Sequence, residues 1–172
     1  MGCDIHLYLE YKIANAAWQA DRHHILDEDG VLHEADVAYR EYELFAALAG
    51  VRGRGPKSKG LPEDVTDKVR SESDRWGEDG HSHSYTDLSV FKKVLKNMDI
   101  LGTEDTEPGS FYSEINYRAA NNNPSFWGYA NIFAHCQKQV EKFKVDLEIE
   151  KLLLGEDINT EVQCRLVYWF DN

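Results

Sequence analysis

The sequence predicts one α+β domain in which a small antiparallel sheet, made of an N-terminal hairpin and the C-terminal strand, packs against several helices. Residues 3–13 and 161–172 alternate in polarity with the period of a β-strand. Several segments between them repeat apolar residues at helical spacing. A length of 172 residues suits a single domain with its own core, so residues 1–172 are treated as one unit.

The N-terminal hairpin follows from the alternation in residues 3–13. A partner strand is expected over residues 16–26, with a turn near residues 14–16. Asp29 and Gly30 predict a second tight turn, because an Asp-Gly pair suits a two-residue hairpin loop. The first strand has an apolar face of Ile5, Leu7, Leu9 and Tyr11 and an opposite face of Asp4, His6, Tyr8 and Glu10.

Two helices are predicted in the first half of the chain. The first begins at Asp36, a residue type that caps helix N-termini, and ends at Ala49. Gly50 follows it, and glycine readily takes the left-handed conformation that ends many helices. The second is a short, polar helix that Asp64 caps and that ends near Trp76. A basic loop rich in glycine and proline joins the two.

A third helix is predicted to begin at Tyr85. Ser84 and Asp87 have the spacing of a capping box, which marks a helix N-terminus. The preceding residues, 77–84, then form a loop that contains two histidines. Those histidines would lie beside the free backbone N–H groups at the helix N-terminus. Such groups form a binding site for a phosphate or carboxylate.

A long fourth helix is predicted from Pro124 toward Gly155, since proline favours the first helical position. Residues 143–149 also alternate as a strand would. However, Phe143 and Leu147 keep helical spacing and no turn residue interrupts the segment, which favours the helix.

Composition argues against several classes of protein. Cys3, Cys136 and Cys164 are far apart and odd in number, which indicates a reducing compartment rather than a disulfide framework or a thiolate zinc site. The first residues lack the apolar core of a secretory signal, and no apolar run approaches the roughly 20 residues that span a bilayer. A cytoplasmic protein is therefore expected. The net charge of −12 argues against direct binding to nucleic acid or to a membrane.

Two segments carry the first candidate site residues. Asp4 and His6 lie two positions apart on a strand, so their side chains project from one face. His81 and His83, in an extended loop, should also point together. A carboxylate and imidazoles are ligands for a divalent ion such as zinc or manganese. Imidazoles can also bind an anion or shuttle protons, so Asp4, His6 and His83 are the candidate catalytic residues.

Three further residues complete the predicted site. If the last strand pairs antiparallel with the first, Asp171 lies near Asp4 and adds a second carboxylate for the metal. Arg52 and Arg54, in the basic loop, can bind a phosphate through two parallel N–H donors. The metal set is then Asp4, His6, His81, His83 and Asp171, and the anion-binding set is Arg52 and Arg54.

Simpler interpretations stand beside these. Asp4 and His6 can form a hydrogen-bonded pair on an exposed sheet face, and the loop with His81 can be a solvated helix entry. Cys3 is a candidate nucleophile, although adjacent strand residues face opposite sides. The aromatic residues 168–170 suit the core or an assembly interface.

Short motifs resemble those of calcineurin-like metallophosphoesterases. Asp4-Ile5-His6 is similar to the Asp-x-His that opens that family's motif set, and Gly80-His81-Ser82-His83 is similar to its closing Gly-His-x-His. The middle motifs are missing, and about 75 residues between the matches are too few for that family's fold. The resemblance implies two-metal phosphoester hydrolysis as a chemistry, without the fold.

A second resemblance covers the whole chain. It is to uncharacterised phage and prophage proteins that open with MGCDIH, which stands here at residues 1–6. The further matching stretches are YREYELFAALAGVRG at 39–53, RG to GLPEDV around 54–65, GHSHS at 80–84 and YWFDN at 168–172. The resemblance implies a small accessory phage protein in the host cytoplasm and carries no established activity.

The leading expectation is a metal-dependent phosphoesterase or hydrolase site that acts on a phosphate-containing small molecule or nucleotide. The alternative is a non-catalytic acidic protein that imitates nucleic acid and thereby inhibits a nucleic-acid-binding or defence protein of the host. The two differ in where Asp4, His6, His81 and His83 lie, since a common cleft favours the first.

Overall fold

Strands from the two ends of the chain form the centre of the main sheet. The computed structural model describes residues 2–21, 24–26, 32–34, 40–53, 55–98, 100 and 124–171. The strands are β1 (Ile5–Ile13), β2 (Gln19–Ala20), β3 (His24–Leu26), β4 (Leu32–Glu34), β5 (His81–Asp87) and β6 (Val162–Phe170). The helices are α1 (Tyr42–Ala49), α2 (Asp67–Trp76), α3 (Leu88–Asn97) and α4 (Pro124–Leu154). The α+β prediction is confirmed.

The main sheet has four antiparallel strands in the order β2-β1-β6-β5. β6 pairs with β1 along its whole length, from Ile5 opposite Phe170 to Ile13 opposite Val162. The predicted pairing of the last strand with the first is therefore confirmed. On its other side β6 pairs with β5, where His81 stands opposite the same Phe170. The start of the chain, its end and the start of β5 consequently meet at one end of the sheet.

The predicted hairpin partner is two separate short strands. β2 pairs with β1 after a turn at residues 14–16, and β3 pairs with β4 in a second, two-stranded sheet. Asp29 and Gly30, which predicted the second turn, lie outside the described residues.

Both faces of the main sheet are covered. The apolar side chains of β1 and β6, such as Leu7, Leu9 and Tyr168, form the main core with α1, α3 and α4. On the opposite face, Val167 and Trp169 form a smaller cluster with α2. The aromatic residues 168–170 are fully buried, so their prediction as core is confirmed and an assembly interface there is excluded.

A buried ion pair attaches α2 to the second face. The Arg165 guanidinium donates to Glu10 Oε2 at 2.6 Å and to Asp64 Oδ1 at 2.6 Å. Glu10 also accepts the backbone N–H of Thr66 at 2.7 Å. Thr66, and not Asp64 as predicted, caps α2, since its hydroxyl accepts the N–H of Val69. Asp64 instead neutralises the arginine, a tertiary role that local sequence does not reveal.

Two helices begin later than predicted. Residues 40 and 41 are not helical, so α1 starts at Tyr42; the predicted cap, Asp36, lies outside the described residues. α3 starts at Leu88 rather than Tyr85, because the preceding segment pairs with β6 as a strand. Its residue Thr86 is buried, and β-branched side chains suit a strand. Gly50 ends α1 in the predicted left-handed conformation, with φ of 69°.

α4 is the predicted long helix, and its alternating stretch at residues 143–149 is helical. Its first half packs into the main core through residues such as Tyr129, Ile132 and Phe133. Within the described part of the chain, none of these helices has both the length and the apolar composition needed to cross a bilayer.

Candidate functional site

Side chains of the types that bind metal ions in proteins, His, Asp and Cys, lie at the end of the sheet where β1, β6 and β5 come together. We call them ligand-type side chains. Ile5 and His81 both stand opposite Phe170, so the residues next to them in sequence are neighbours in space. β1 and the start of β5 thus lie on either side of β6 at the same end of the sheet. The residues at this end are Cys3, Asp4, His6, His81, His83 and Asp171.

His6 and Asp171 form the most closely coupled pair. His6 Nε2 lies 3.2 Å from Asp171 Oδ2, and the backbone N–H of Asp4 donates to Asp171 Oδ1 at 3.0 Å. The backbone N–H of Asp171 in turn donates to the Asp4 carbonyl at 3.2 Å. Trp76 packs on the imidazole, with ring centroids 4.0 Å apart. The His6 side chain is buried rather than on an exposed sheet face, so the pair is held rigidly.

Cys3 and His81 form a second pair on the opposite face of the sheet. Cys3 Sγ lies 4.0 Å from His81 Nε2, and His81 Nδ1 lies 3.0 Å from Ser82 Oγ. Burial raises the pKa of the Cys3 thiol, with Arg52 acting against this rise and Asp171 adding to it. The thiol is therefore neutral at physiological pH, which makes it a poor nucleophile in this state.

A bulge in β5 sends the two histidines to different faces. Ser82 has φ of 53°, and the register shifts between His81 and Ser84. His81 packs on Phe170, with centroids 6.2 Å apart, whereas His83 stacks on Trp169 at 5.7 Å. The expectation that both imidazoles point together is therefore wrong. An extra residue in one strand reverses the side to which the following side chains point.

Trp169 lies between His6 and His83 on the second face. The His6 and Trp169 ring centroids are 5.8 Å apart, and the strand order places β6 between the strands of the two histidines. Gly80 packs against this layer, since a Cβ there would lie 3.5 Å from both His83 and Trp169. Burial, together with the charge of His81, lowers the pKa of His83 below its ordinary value. His83 is thus a neutral imidazole within an aromatic layer at pH 7.

Two arginines, Arg40 and Arg52, lie at the same end of the sheet as the His6–Asp171 and Cys3–His81 pairs. Arg40 Nη2 donates to Asp4 Oδ2 at 3.0 Å and Arg40 Nε donates to Asp4 Oδ1, a bidentate pair that lowers the pKa of Asp4. Arg52 lies over the Tyr42 ring at 4.8 Å, and the Tyr42 hydroxyl accepts the N–H of Cys3. Both guanidinium charges act to lower the pKa of the Cys3 thiol, against the larger effect of burial.

Sequence reasoning missed Arg40, because only the fold brings it to Asp4 from 36 positions away. It also missed Cys3 as the partner of His81. Arg54, the other predicted anion-binding residue, lies outside the described residues. The predicted anion seat at a helix N-terminus beside the histidines is absent, since α3 begins at Leu88 after the whole of β5.

The predicted five-residue metal set is divided by this geometry. Among the described residues, no three His, Cys, Asp or Glu side chains surround a point that could hold an ion. The ligand-type groups occur as two pairs, His6 with Asp171 and Cys3 with His81, while Asp4 is bound to Arg40.

No protein-family model matches the chain, and neither the curated proteins nor the solved structures contain a match.

Proposed function

We propose that the protein binds a phosphate-containing small molecule or nucleotide together with a divalent ion, zinc or manganese, and hydrolyses a phosphoester in it. The observation that carries this proposal is the pairing of His6 with Asp171, 3.2 Å apart, at the end of the sheet where Arg40 and Arg52 also lie. Imidazole, carboxylate and guanidinium groups together suit a metal-bound phosphate.

The separation of the His6 and Asp171 donor atoms fits two neighbouring ligands of one ion. Ligand atoms bound at about 2.0–2.2 Å in tetrahedral or octahedral geometry stand roughly 3.0–3.5 Å from each other. The 3.2 Å distance is within that range. One or two protein ligands can hold an ion that is completed by water and substrate phosphate oxygens, as in many Mg²⁺ sites, which favours manganese over zinc here. Metal and phosphate would then bind together.

The arginines supply local positive charge on a protein whose net charge is −12. Arg40 is already oriented by Asp4 through two hydrogen bonds, so Asp4 acts as a positioning residue for a phosphate-binding guanidinium. Arg52 is held over the ring of Tyr42, whose hydroxyl accepts the N–H of Cys3. An anionic group between the two would be bound by preorganised donors.

The residues of such a site would have different chemical roles. The ion, when bound, supplies Lewis-acid polarisation of the phosphoryl group and a more acidic water. His6 Nε2 and Asp171 Oδ2 would hold the ion in place of the hydrogen bond between them, while Asp171 Oδ1 stays fixed by the Asp4 N–H. His81 packs on Phe170 on the opposite face of the sheet, beside Ser82, so it is given no role at the ion. His83 stays neutral and packs on Trp169.

The test measures the binding of Mn²⁺ and Zn²⁺ by isothermal titration calorimetry, with and without a non-hydrolysable nucleoside triphosphate analogue. We expect the analogue to tighten metal binding, and His6→Ala and Asp171→Asn to weaken it by about tenfold or more. His135→Ala is the matched control, because His135 and Asp21 form a similar pair, 2.7 Å apart, between α4 and the residue after β2.

Three results would refute the proposal. They are an absence of metal binding in the wild type, equal metal binding in His6→Ala and His135→Ala, and metal binding that the nucleotide analogue leaves unchanged.

A further inference from the structure

Cys3 and His81 form a pair of metal-ligand side chains that the proposed hydrolysis does not use. Cys3 Sγ lies 4.0 Å from His81 Nε2, on the face of the sheet opposite His6. The Cys3 side chain is buried, whereas His81 is half-buried, so solvent reaches the pair from the His81 side. A thiolate and an imidazole together suit soft and borderline metal ions.

Hydrogen bonds fix the positions of both ligand atoms. The backbone N–H of Cys3 donates to the Tyr42 hydroxyl at 3.3 Å. His81 Nδ1 lies 3.0 Å from Ser82 Oγ, and when Nδ1 donates its proton to that hydroxyl, the Nε2 lone pair faces the thiol. The bulge at Ser82, with φ of 53°, is what turns His81 toward Cys3. Such a hydrogen bond to the second ring nitrogen is the usual way in which proteins orient a metal-binding imidazole.

The separation of the two ligand atoms suits an ion with few ligands. Metal–thiolate and metal–imidazole bonds of about 2.3 Å and about 2.0 Å place their ligand atoms about 3.6 Å apart at a tetrahedral angle and about 4.3 Å apart on a straight line. The observed 4.0 Å between Cys3 Sγ and His81 Nε2 therefore corresponds to a wide angle at the ion. Within the described ranges, no third His, Cys, Asp or Glu side chain completes a site there. Cu(I), a soft ion that thiolates select and that accepts two ligands, fits this arrangement.

The charges around Cys3 also favour a monovalent ion. Burial raises the pKa of the Cys3 thiol most, Arg52 and Arg40 act to lower it, and Asp171 and Asp4 add to the rise. Positive and negative side chains thus act on the thiol in equal number, and burial penalises any net charge at the sulfur. A thiolate and a neutral imidazole form a neutral complex with Cu(I), whereas the same two ligands leave a positive charge on a divalent ion.

We propose that Cys3 and His81 bind one Cu(I) ion in a buried, two-coordinate site. The thiol loses its proton to solvent as the sulfur–copper bond forms, so one proton is released for each ion bound and no electron is transferred. The site lies on the other face of the sheet from His6 and is independent of the proposed phosphoester hydrolysis.

Cys136 and Cys164 form a second pair of thiols, which provides an internal comparison. Burial and a hydrogen bond to Cys164 raise the pKa of the Cys136 thiol well above its ordinary value. Both thiols lie in the main core. Two thiolates with one Cu(I) ion would leave a negative charge there, and the Asp21 carboxylate, which also acts on Cys136, would repel it. We therefore expect Cu(I) at Cys3 and not at this pair.

The first test is competition for Cu(I) with bathocuproine disulfonate, a coloured Cu(I) chelator, in anaerobic solution with ascorbate. We expect the wild type to withdraw one equivalent of copper from the chelator. Cys3→Ser and His81→Ala should each weaken binding by at least about a hundredfold, and Ser82→Ala, which removes only the orienting hydroxyl, by about tenfold. Thermal unfolding followed by circular dichroism checks that each variant is folded.

Matched controls remove the same types of side chain from other places. Cys136→Ser takes a thiol from the main core, and His83→Ala takes an imidazole from the layer around Trp169. Both variants should bind Cu(I) as the wild type does.

The second test is X-ray absorption at the copper edge, which needs no variant and so decides the matter even where Cys3→Ser is unstable. We expect the edge feature of two-coordinate Cu(I), with one sulfur and one nitrogen neighbour. A wild type that leaves all copper with the chelator overturns the proposal. So does Cu(I) binding that a folded Cys3→Ser retains or that Cys136→Ser abolishes, or a spectrum that shows two sulfur neighbours.

Discussion

The imidazole of His6 and the carboxylate of Asp171 lie 3.2 Å apart although 165 positions separate them in the chain. The register of β1 against β6 brings them together, because Ile5 stands opposite Phe170 and His6 opposite Trp169. The same strand, β6, holds His81 on its other side. The candidate site is therefore a product of the central strand pairing and not of any local motif.

Loss of the buried Arg165 guanidinium should strongly destabilise the fold. Arg165→Met leaves Glu10, which is completely buried, without its cationic partner. An uncompensated buried charge of this kind costs about 3–5 kcal/mol in the free energy of unfolding. Urea denaturation measures it. Arg75→Met, which breaks an exposed pair with Glu72, should cost under about 1 kcal/mol. Equal costs for the two variants would mean that the buried network is not a stabilising element.

The Asp4 carboxyl should titrate below its ordinary range because Arg40 donates to it and attracts its charge. Arg40→Gln should raise the pKa of Asp4, measured by carbon NMR of the carboxyl group. Since the folded pKa is depressed, the pair stabilises the fold above the unfolded value of about 3.9, and this stabilisation is lost as the pH falls through the folded pKa. An unchanged Asp4 titration in Arg40→Gln would show that the two side chains do not interact in solution.

His83 should titrate below 6.5, the ordinary pKa of histidine, because it is partly buried and close to His81. In His81→Ala the His83 pKa should rise part of the way back, since burial remains. The unfolded chain binds the proton more readily, so stability decreases as the pH falls below about 6.5 and is lowest beneath the folded pKa. Proton NMR of the imidazoles gives the titration midpoint of His83 in the wild type and in His81→Ala. A His83 midpoint above that of an exposed histidine would contradict the packing on Trp169.

Cys3 should be dispensable for catalysis. Burial raises the pKa of its thiol, and its side chain is only 1% exposed, so it is not an activated nucleophile. Cys3→Ser should keep the proposed phosphoesterase activity within about threefold, whereas Asp171→Asn should lower it by about tenfold to a hundredfold. The measurement is hydrolysis of a chromogenic phosphodiester with Mn²⁺ present. Loss of activity in Cys3→Ser equal to that in Asp171→Asn would instead assign nucleophilic catalysis to the thiol.

Much of the fold follows from polarity patterns in the sequence. The alternation of β1 and β6, the cap at Gly50 and the length of α4 are local signals, and each predicted its element correctly. The predicted helix start at Tyr85 was wrong because a long-range contact overrides the local signal of residues 84–87. Their capping-box spacing favours a helix, but pairing with the exposed edge of β6 makes them strand.

The sequence predicted one of the contacts at this end of the sheet and missed others. The predicted pairing of β6 with β1 placed Asp171 near Asp4, whereas the position of β5 on the far side of β6, which brings His81 to the same end of the sheet, had no sequence signal. The bulge at Ser82 separates His81 from His83, and a bulge cannot be read from a serine between two histidines. The role of Arg40 depends on a long-range contact with Asp4.

The most direct test of the proposed site is anomalous diffraction from crystals grown with Zn²⁺ and a nucleotide analogue. We expect a single strong anomalous peak within bonding distance of His6 Nε2 and Asp171 Oδ2, with phosphate oxygens completing the ion's ligands and Arg40 or Arg52 contacting the phosphate. An empty map at that end of the sheet, with the 3.2 Å hydrogen bond between the two side chains retained, would contradict it.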